Sequence, residues 1–134
     1  MEKDIYRRTN TTVSLLNYHF VFCPRYRRKI FDMPGVEDCF KMLVEAACEK
    51  HGIQILALEC HHDHVHLFVS APPTVAPYEI MKWVKGATSR QIRERFSTFK
   101  SMQALWTRSY FVSTAGNVSS ATIEWYVKTQ KSRP

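Results

Sequence analysis

The stretch that decides the fold is IQILALECHHDHVHLFVS, residues 53–70. Two runs rich in aliphatic and β-branched residues, 53–60 and 64–70, flank a polar triplet, and this pattern predicts a β-hairpin. Within the second run, His64 and His66 are separated by Val65. Because side chains alternate between the two faces of a strand, both imidazoles are expected on one face. Two neighbouring imidazoles form half of a metal site.

A divalent metal site needs at least a third ligand, and the nearest candidates in sequence are Cys60, His61 and His62. Thiolate and imidazole together would favour zinc. Cys60, His62, His64 and His66 are not all expected to serve, because four side chains along one edge cannot surround one ion tetrahedrally. A structural zinc site is thus one alternative for this segment.

The flanking sequence predicts the remaining elements of one α+β domain. Residues 13–22 and 110–113 have strand composition, and residues 36–51 and 78–96 have apolar residues at three- and four-residue spacing, which predicts helices. The order strand, helix, strand, strand, helix, strand predicts a ferredoxin-like βαββαβ antiparallel sheet with both helices on one face. A further C-terminal helix is expected over about 119–131.

The charge of the chain narrows its partners. Its 134 residues include 19 Lys and Arg against 12 Asp and Glu, a net charge of +7, with an ordinary 45% of hydrophobic residues. Such a surplus suggests nucleic acid or an anionic membrane surface. No run of about 20 apolar residues and no secretory signal is visible, so a soluble, cytoplasmic protein is expected. No two of the four cysteines form a Cys-x-x-Cys pair, and all four are expected to be reduced thiols.

The predicted C-terminal helix contains a second constellation. Tyr126 and Gln130 are four residues apart and therefore share one helix face. Taken alone, a Tyr on an amphipathic helix is usually a core or interface residue.

Four sequence segments, in a fixed order, include both the His64/His66 pair and the Tyr126/Gln130 pair. They are DHVHLFV at 63–69, WVKG at 83–86, the segment 105–119 beginning LWTRSYFVS, and Tyr126-x-x-x-Gln130. Together with the early segment 18–29, the pattern resembles the single-tyrosine transposases with an HUH motif (His, hydrophobic, His) that insertion sequences of the 200/605 family encode. The resemblance covers about residues 13–130. One departure is His61-His62, where family members often have Met-Pro, so that an extra imidazole could compete as a ligand.

The resemblance implies roles for specific residues. His64, His66 and Gln130 would bind a divalent cation, Mg²⁺ or Mn²⁺, and Tyr126 would be the nucleophile that cuts single-stranded DNA through a 5′-phosphotyrosine link. It also implies one domain over 1–134, with a core at about 13–113. The substrates would be hairpins at transposon ends, and the enzyme a homodimer in which Tyr126 can act in trans.

The basic residues then become candidates for DNA binding. They are Arg25, Arg27 and Arg28 after the first strand, with Lys82, Lys85, Arg90 and Arg93 on the second helix. A merely solvated charged face is the alternative. Tyr26 or Trp106 could stack an unpaired base, although both could also be core residues.

Three other functions remain open at this point. A domesticated relative would bind and cleave repetitive palindromes with the same residues. A non-catalytic ferredoxin-like module would bind nucleic acid without any effect of metal. A zinc-dependent hydrolase would cut with water instead of Tyr126.

Overall fold

The computed structural model describes residues 5–115, so Tyr126, Gln130 and the predicted helix at 119–131 lie outside the described residues. Six strands, two α-helices and three short 3-10 turns lie in this part of the chain. The strands are β1 (Arg7–Arg8), β2 (Val13–Ser14), β3 (Asn17–Phe22), β4 (Gln54–Cys60), β5 (Val65–Ser70) and β6 (Phe111–Ala115). The helices are α1 (Val36–Lys50) and α2 (Pro77–Arg95). Within residues 5–115, no helix is both long and apolar enough to cross a bilayer.

Four of the strands form the main sheet in the order β4-β5-β3-β6, with every neighbouring pair antiparallel. This order and the βαββαβ succession confirm the predicted ferredoxin-like fold. The single strand predicted at 13–22 is wrong in detail, since Leu15 and Leu16 interrupt it and only β3 joins this sheet. The short β2 pairs instead with β1 in a separate two-stranded ribbon.

Helix α1 begins and ends where glycine permits a left-handed backbone. Gly35 precedes it with φ 89° and Gly52 follows it with φ 71°. Its buried side chains recur every four residues and pack on the sheet. They are Val36, Phe40, Val44 and Cys48.

Helix α2 starts at Pro77, whose fixed φ suits the first turn of a helix. The Ala76 amide donates to Glu79 Oε1 at 3.0 Å, which satisfies one of the amides that the first turn leaves without a partner in the helix. The buried residues of α2 join those of α1 in one core. Ile80, Met81, Val84 and Ile92 are the apolar members of this set.

The sheet has two chemically different faces, because alternate residues of each strand point to opposite sides. The helix-covered face carries apolar residues that belong to the main core, namely Tyr18, Phe20, Phe22, Val65, Leu67 and Val69. The opposite face carries His19 on β3 and His66 and Phe68 on β5, with Phe68 in a second, smaller apolar cluster. The strand period therefore places the imidazoles away from the helices.

Trp106 is a core residue, which decides against a role in stacking on a base. It is 5% exposed, its ring lies 5.0 Å from Phe22 and 5.4 Å from Phe40, and its Nε1 donates to Thr88 Oγ1 at 2.9 Å. The Thr88 hydroxyl in turn donates to Val84 O at 2.8 Å. Trp106 thus ties the segment before β6 to the centre of α2.

We expect Trp106→Ala to lower the free energy of unfolding by about 3–5 kcal/mol, because it opens a large cavity in the aromatic core. Trp106→Phe should cost clearly less, since it keeps a ring beside Phe22 while Thr88 retains its bond to Val84. Urea unfolding monitored by circular dichroism measures both variants. Equal midpoints for Trp106→Ala and the unmodified protein would contradict this packing.

Candidate metal centre and basic surface

The β4–β5 hairpin brings three imidazoles together. Cys60 pairs with Val65, and beyond that pair His61 N donates to His64 O at 2.8 Å, so His61 and His64 face each other across the turn. Because the turn reverses the chain, His61 shares a sheet face with His64 and His66, whereas Cys60 points into the main core. Strand alternation alone predicts that Cys60, His62, His64 and His66 share one edge, and the turn overturns this prediction.

The three rings converge on one point. One possible ligand atom from each of His61, His64 and His66 lies within 4.8 Å of the others. Ring centroids are 4.5 Å apart for His61–His64, 5.2 Å for His64–His66 and 5.5 Å for His61–His66. Nitrogens bound to one ion at about 2.1 Å lie about 3–4 Å apart, so small side-chain rotations would complete the cluster. The donor set fits a divalent cation.

An outer partner, Asp63, fixes the orientation of the His64 ring. His64 Nδ1 donates to Asp63 Oδ1 at 3.0 Å, and Arg27 Nε donates to Asp63 Oδ2 at 3.1 Å. These bonds from His64 and Arg27 hold the pKa of Asp63 below its usual range, so the carboxylate stays ionised. With Nδ1 engaged, Nε2 is the nitrogen of His64 that could bind a metal ion, as in carboxylate–histidine–metal triads.

His19 contacts the imidazole cluster, although no sequence motif marked it as a candidate. Its Nε2 shares a hydrogen bond of 3.1 Å with His66 Nδ1, and its ring packs edge-on against Phe68 and Phe111. The signal was the strand period of β3, which places His19 off the apolar face. His19 therefore holds the His66 ring through Nδ1, which leaves Nε2 as the nitrogen that could bind a metal ion.

Burial favours the neutral form of two imidazoles, His66 and His19. Burial, with smaller contributions from His19, His64 and His61, lowers the pKa of His66 to about 4. Burial also lowers the pKa of His19. His66 is consequently unprotonated at neutral pH, and a metal can bind it without first displacing a proton.

His62 takes no part in the cluster. Its side chain is 74% exposed, and Nδ1 pairs with Asp32 Oδ1 on the short helical turn Ile30–Asp32. Adjacent residues of the hairpin thus have different surroundings, with His61 at the imidazole cluster and His62 at the surface.

The first group of predicted DNA-binding residues forms a basic turn after β3. Tyr26 (φ 61°) and Arg27 (φ 51°) have left-handed backbones, which non-glycine residues seldom adopt. Tyr26 is 76% exposed, with the guanidinium carbons of Arg25 and Arg28 at 5.4 and 5.9 Å from its ring centre. These three residues line a pocket of about 300 Å³ together with Ser101, Met102, Gln103 and Ala104.

The second group, on α2, is engaged largely by neighbouring protein groups. Lys85 Nζ donates to Thr107 O at 2.8 Å and Ser109 O at 3.1 Å, and burial lowers its pKa. Arg93 donates to Met102 O at 3.0 Å, and Arg90 pairs with Glu94 at 3.1 Å. Lys82 is exposed. A role in DNA binding remains a prediction for all four residues.

The sequence of this chain matches a known protein family. The family model described as "Transposase IS200 like" matches residues 12–130. The transposase for insertion sequence element IS200 of Salmonella typhimurium LT2 is 33% identical over 116 residues, which cover 84% of this chain and 75% of that protein. The ISDra2 transposase TnpA of Deinococcus radiodurans R1 is 30% identical over 118 residues, covering 86% and 84% of the two chains.

Solved structures agree with these relatives. A crystal structure assigned as a transposase from Deinococcus radiodurans R1 superposes with a TM-score of 0.75 at 28% identity, covering 92% of this chain and 97% of that one. A REP-associated tyrosine transposase bound to a REP hairpin superposes with a TM-score of 0.67 at 12% identity, covering 98% and 73%. The second likeness concerns the fold alone. From the extent of the sequence matches, this chain belongs to the IS200-like transposase family.

Proposed function

We propose that this transposase cuts and rejoins single-stranded DNA by a tyrosine mechanism. The observation that carries the proposal is the histidine cluster at the β4–β5 hairpin, in a chain whose family match extends through Tyr126 and Gln130. Membership of a transposase family supports DNA cleavage, and the cluster supports its dependence on a metal ion. His64, His66 and Gln130 would hold Mg²⁺ or Mn²⁺.

The chemistry follows from the residue types. Tyr126 Oη attacks the scissile phosphorus, the bond from phosphorus to the 3′ oxygen breaks, and the products are a 5′-phosphotyrosine and a free 3′-OH. A second 3′-OH then attacks the phosphotyrosine, reseals the strand and releases Tyr126. The bound ion would neutralise charge that develops on the phosphate. Phosphodiester energy is conserved, so no nucleoside triphosphate is required.

We further propose that single-stranded hairpins at element ends are the substrate and that the enzyme works as a homodimer in the cytoplasm. The net charge of +7 supports a polyanionic partner. One domain would span 1–134, with the catalytic helix at about 119–131. In a dimer, Tyr126 of one subunit could serve the metal centre of the other.

The basic turn after β3 has the features of a surface that binds unpaired DNA. An exposed ring that is flanked by two guanidinium groups can stack on a base while the arginines neutralise phosphates. A left-handed Tyr is costly and persists where surrounding structure or function requires it. Arg25, Tyr26 and Arg28 line the same pocket, so the base and its phosphate would be held together.

We expect Tyr26→Ala to weaken single-stranded DNA binding by about 5- to 100-fold, because stacking on an aromatic ring contributes about 1–3 kcal/mol per base. Tyr26→Phe is the matched control, since it keeps the ring, and it should bind like the unmodified protein. Fluorescence anisotropy over a range of salt concentrations measures this. Arg25→Gln should instead flatten the dependence of log K on log salt by about 0.7. Unchanged affinity in Tyr26→Ala would remove Tyr26 from the DNA-binding surface.

The direct test uses labelled single-stranded oligonucleotides that span palindromes flanking the gene. In the presence of Mn²⁺ or Mg²⁺, the protein should form an adduct that survives denaturing gel electrophoresis, together with a fragment that ends in a 3′-OH. Cleaved DNA without an adduct would indicate a hydrolase. DNA binding with neither cleavage nor any metal dependence would indicate a non-catalytic module.

A further inference from the structure

We propose that His61 is a third imidazole ligand of the metal centre and that it biases the site towards Mn²⁺ and other transition metals over Mg²⁺. The inference rests on the metal site of the proposed function and adds a ligand to it. His61 would act alongside His64 and His66, with Gln130 as the proposed fourth donor.

Backbone geometry places His61 at the site. The bond of 2.8 Å from His61 N to His64 O makes these residues cross-strand neighbours, whose side chains must lie on one face. Their rings stack at 4.5 Å with an interplanar angle of 9°. His66, two residues further along the strand, completes the group within 4.8 Å. The hairpin turn thus presents three nitrogens as one rigid unit.

The neighbours of His61 are excluded by the same turn. Cys60 is 1% exposed and belongs to the core between sheet and helices. His62 lies at the surface and pairs with Asp32. Asp63 approaches His64 Nδ1 and Arg27, and so acts as an outer partner. Of these hairpin residues, His61 is the one in position to add a ligand.

The donor set determines which metal the site prefers. Imidazole nitrogen suits zinc, copper, iron and nickel best, whereas Mg²⁺ and Mn²⁺ both favour carboxylate, carbonyl and water oxygens. Within residues 5–115 the cluster consists of three histidines and contains no carboxylate. Three imidazoles would hold such an ion on the protein side and leave room for substrate oxygens. Manganese nevertheless fits three imidazoles better than magnesium does, because it belongs to the transition-metal series that binds nitrogen donors, whereas Mg²⁺ releases its waters reluctantly.

The test is calorimetric titration of the full chain with MnCl₂ and, separately, with MgCl₂. His61→Ala should weaken Mn²⁺ binding by at least about 10-fold, since even loss of an outer partner of a metal ligand costs about 10- to 100-fold. Mg²⁺ affinity should change less, so that the preference for Mn²⁺ over Mg²⁺ falls. His62→Ala is the matched control and should bind both ions like the unmodified protein.

A second measurement does not depend on how the variant folds. In the unmodified protein, titration with ZnCl₂, a diamagnetic probe, is followed by long-range ¹H–¹⁵N spectra. The signal of one ring nitrogen each of His61, His64 and His66 should shift, and no ring nitrogen of His62 should.

The calorimetric outcomes separate the two proposals. If His61→Ala binds Mn²⁺ normally while His64→Ala does not, the third ligand is wrong and the proposed metal site stands. If the unmodified protein binds neither ion, both proposals fail.

Discussion

Tyr126→Phe is expected to abolish the covalent protein–DNA adduct, with a loss of at least about 10³-fold, because the variant lacks the oxygen that attacks phosphorus. The affinity for the same oligonucleotide should stay within about twofold of that of the unmodified protein. The phenyl ring is retained, and the proposed DNA-binding residues belong to the basic turn after β3. Denaturing gels with a labelled oligonucleotide measure the adduct, and anisotropy measures binding.

A matched control for this result is Tyr26→Phe, which removes a phenol oxygen from the basic turn. It should form adducts at the rate of the unmodified protein, because Tyr26 contributes its ring to the proposed binding surface. Adducts that persist in Tyr126→Phe would show that another residue is the nucleophile. Cleavage that persists without an adduct would show that water replaces Tyr126.

The fold was predictable because local patterns agree with its topology. Alternation in β3, the apolar run of β5, four-residue spacing in α1 and glycine at both ends of α1 each point to one arrangement. The β1–β2 ribbon was not predictable, since two residues per strand carry no period. Arg7 reaches Ser70 O at 3.1 Å, a contact between residues 63 positions apart that only the folded chain reveals.

The candidate metal centre could be predicted from the sequence only in part. The period of two along β5 places His64 and His66 on one face without further knowledge. His61 required the register of the hairpin, because a turn of His62 and Asp63 reverses which residues share a face. His19 required the pairing of β3 with β5, which joins residues 47 positions apart.

The basic residues show where helical geometry stops being informative. A helical wheel places Lys82, Lys85 and Arg93 on one side of α2, but it cannot show which carbonyls lie opposite. Lys85 donates to the segment before β6, and Arg93 to Met102 O beside the pocket. Only the tertiary contacts show that Lys85 and Arg93 hold neighbouring loops through their carbonyl oxygens.

His66→Ala is expected to weaken Mn²⁺ binding by at least about 100-fold, because it removes a proposed ligand and not only an outer partner. Adduct formation should fall by about 10³-fold or more, since the ion supplies several kcal/mol of stabilisation in the transition state. His66 is only 7% exposed, so this variant should also lower the melting temperature. Calorimetry, denaturing gels and thermal unfolding monitored by circular dichroism measure the three effects.

His64→Ala separates loss of metal from loss of packing. His64 is half-buried, so its truncation should remove metal binding and cleavage with little change in melting temperature.

Mixing His64→Ala with Tyr126→Phe tests whether two subunits share an active site. A mixed dimer combines an intact metal centre from one subunit with Tyr126 from the other. Adducts should reappear in the mixture if Tyr126 acts in trans, and stay absent if each subunit uses its own tyrosine. Normal Mn²⁺ binding in both His64→Ala and His66→Ala would refute the metal centre itself.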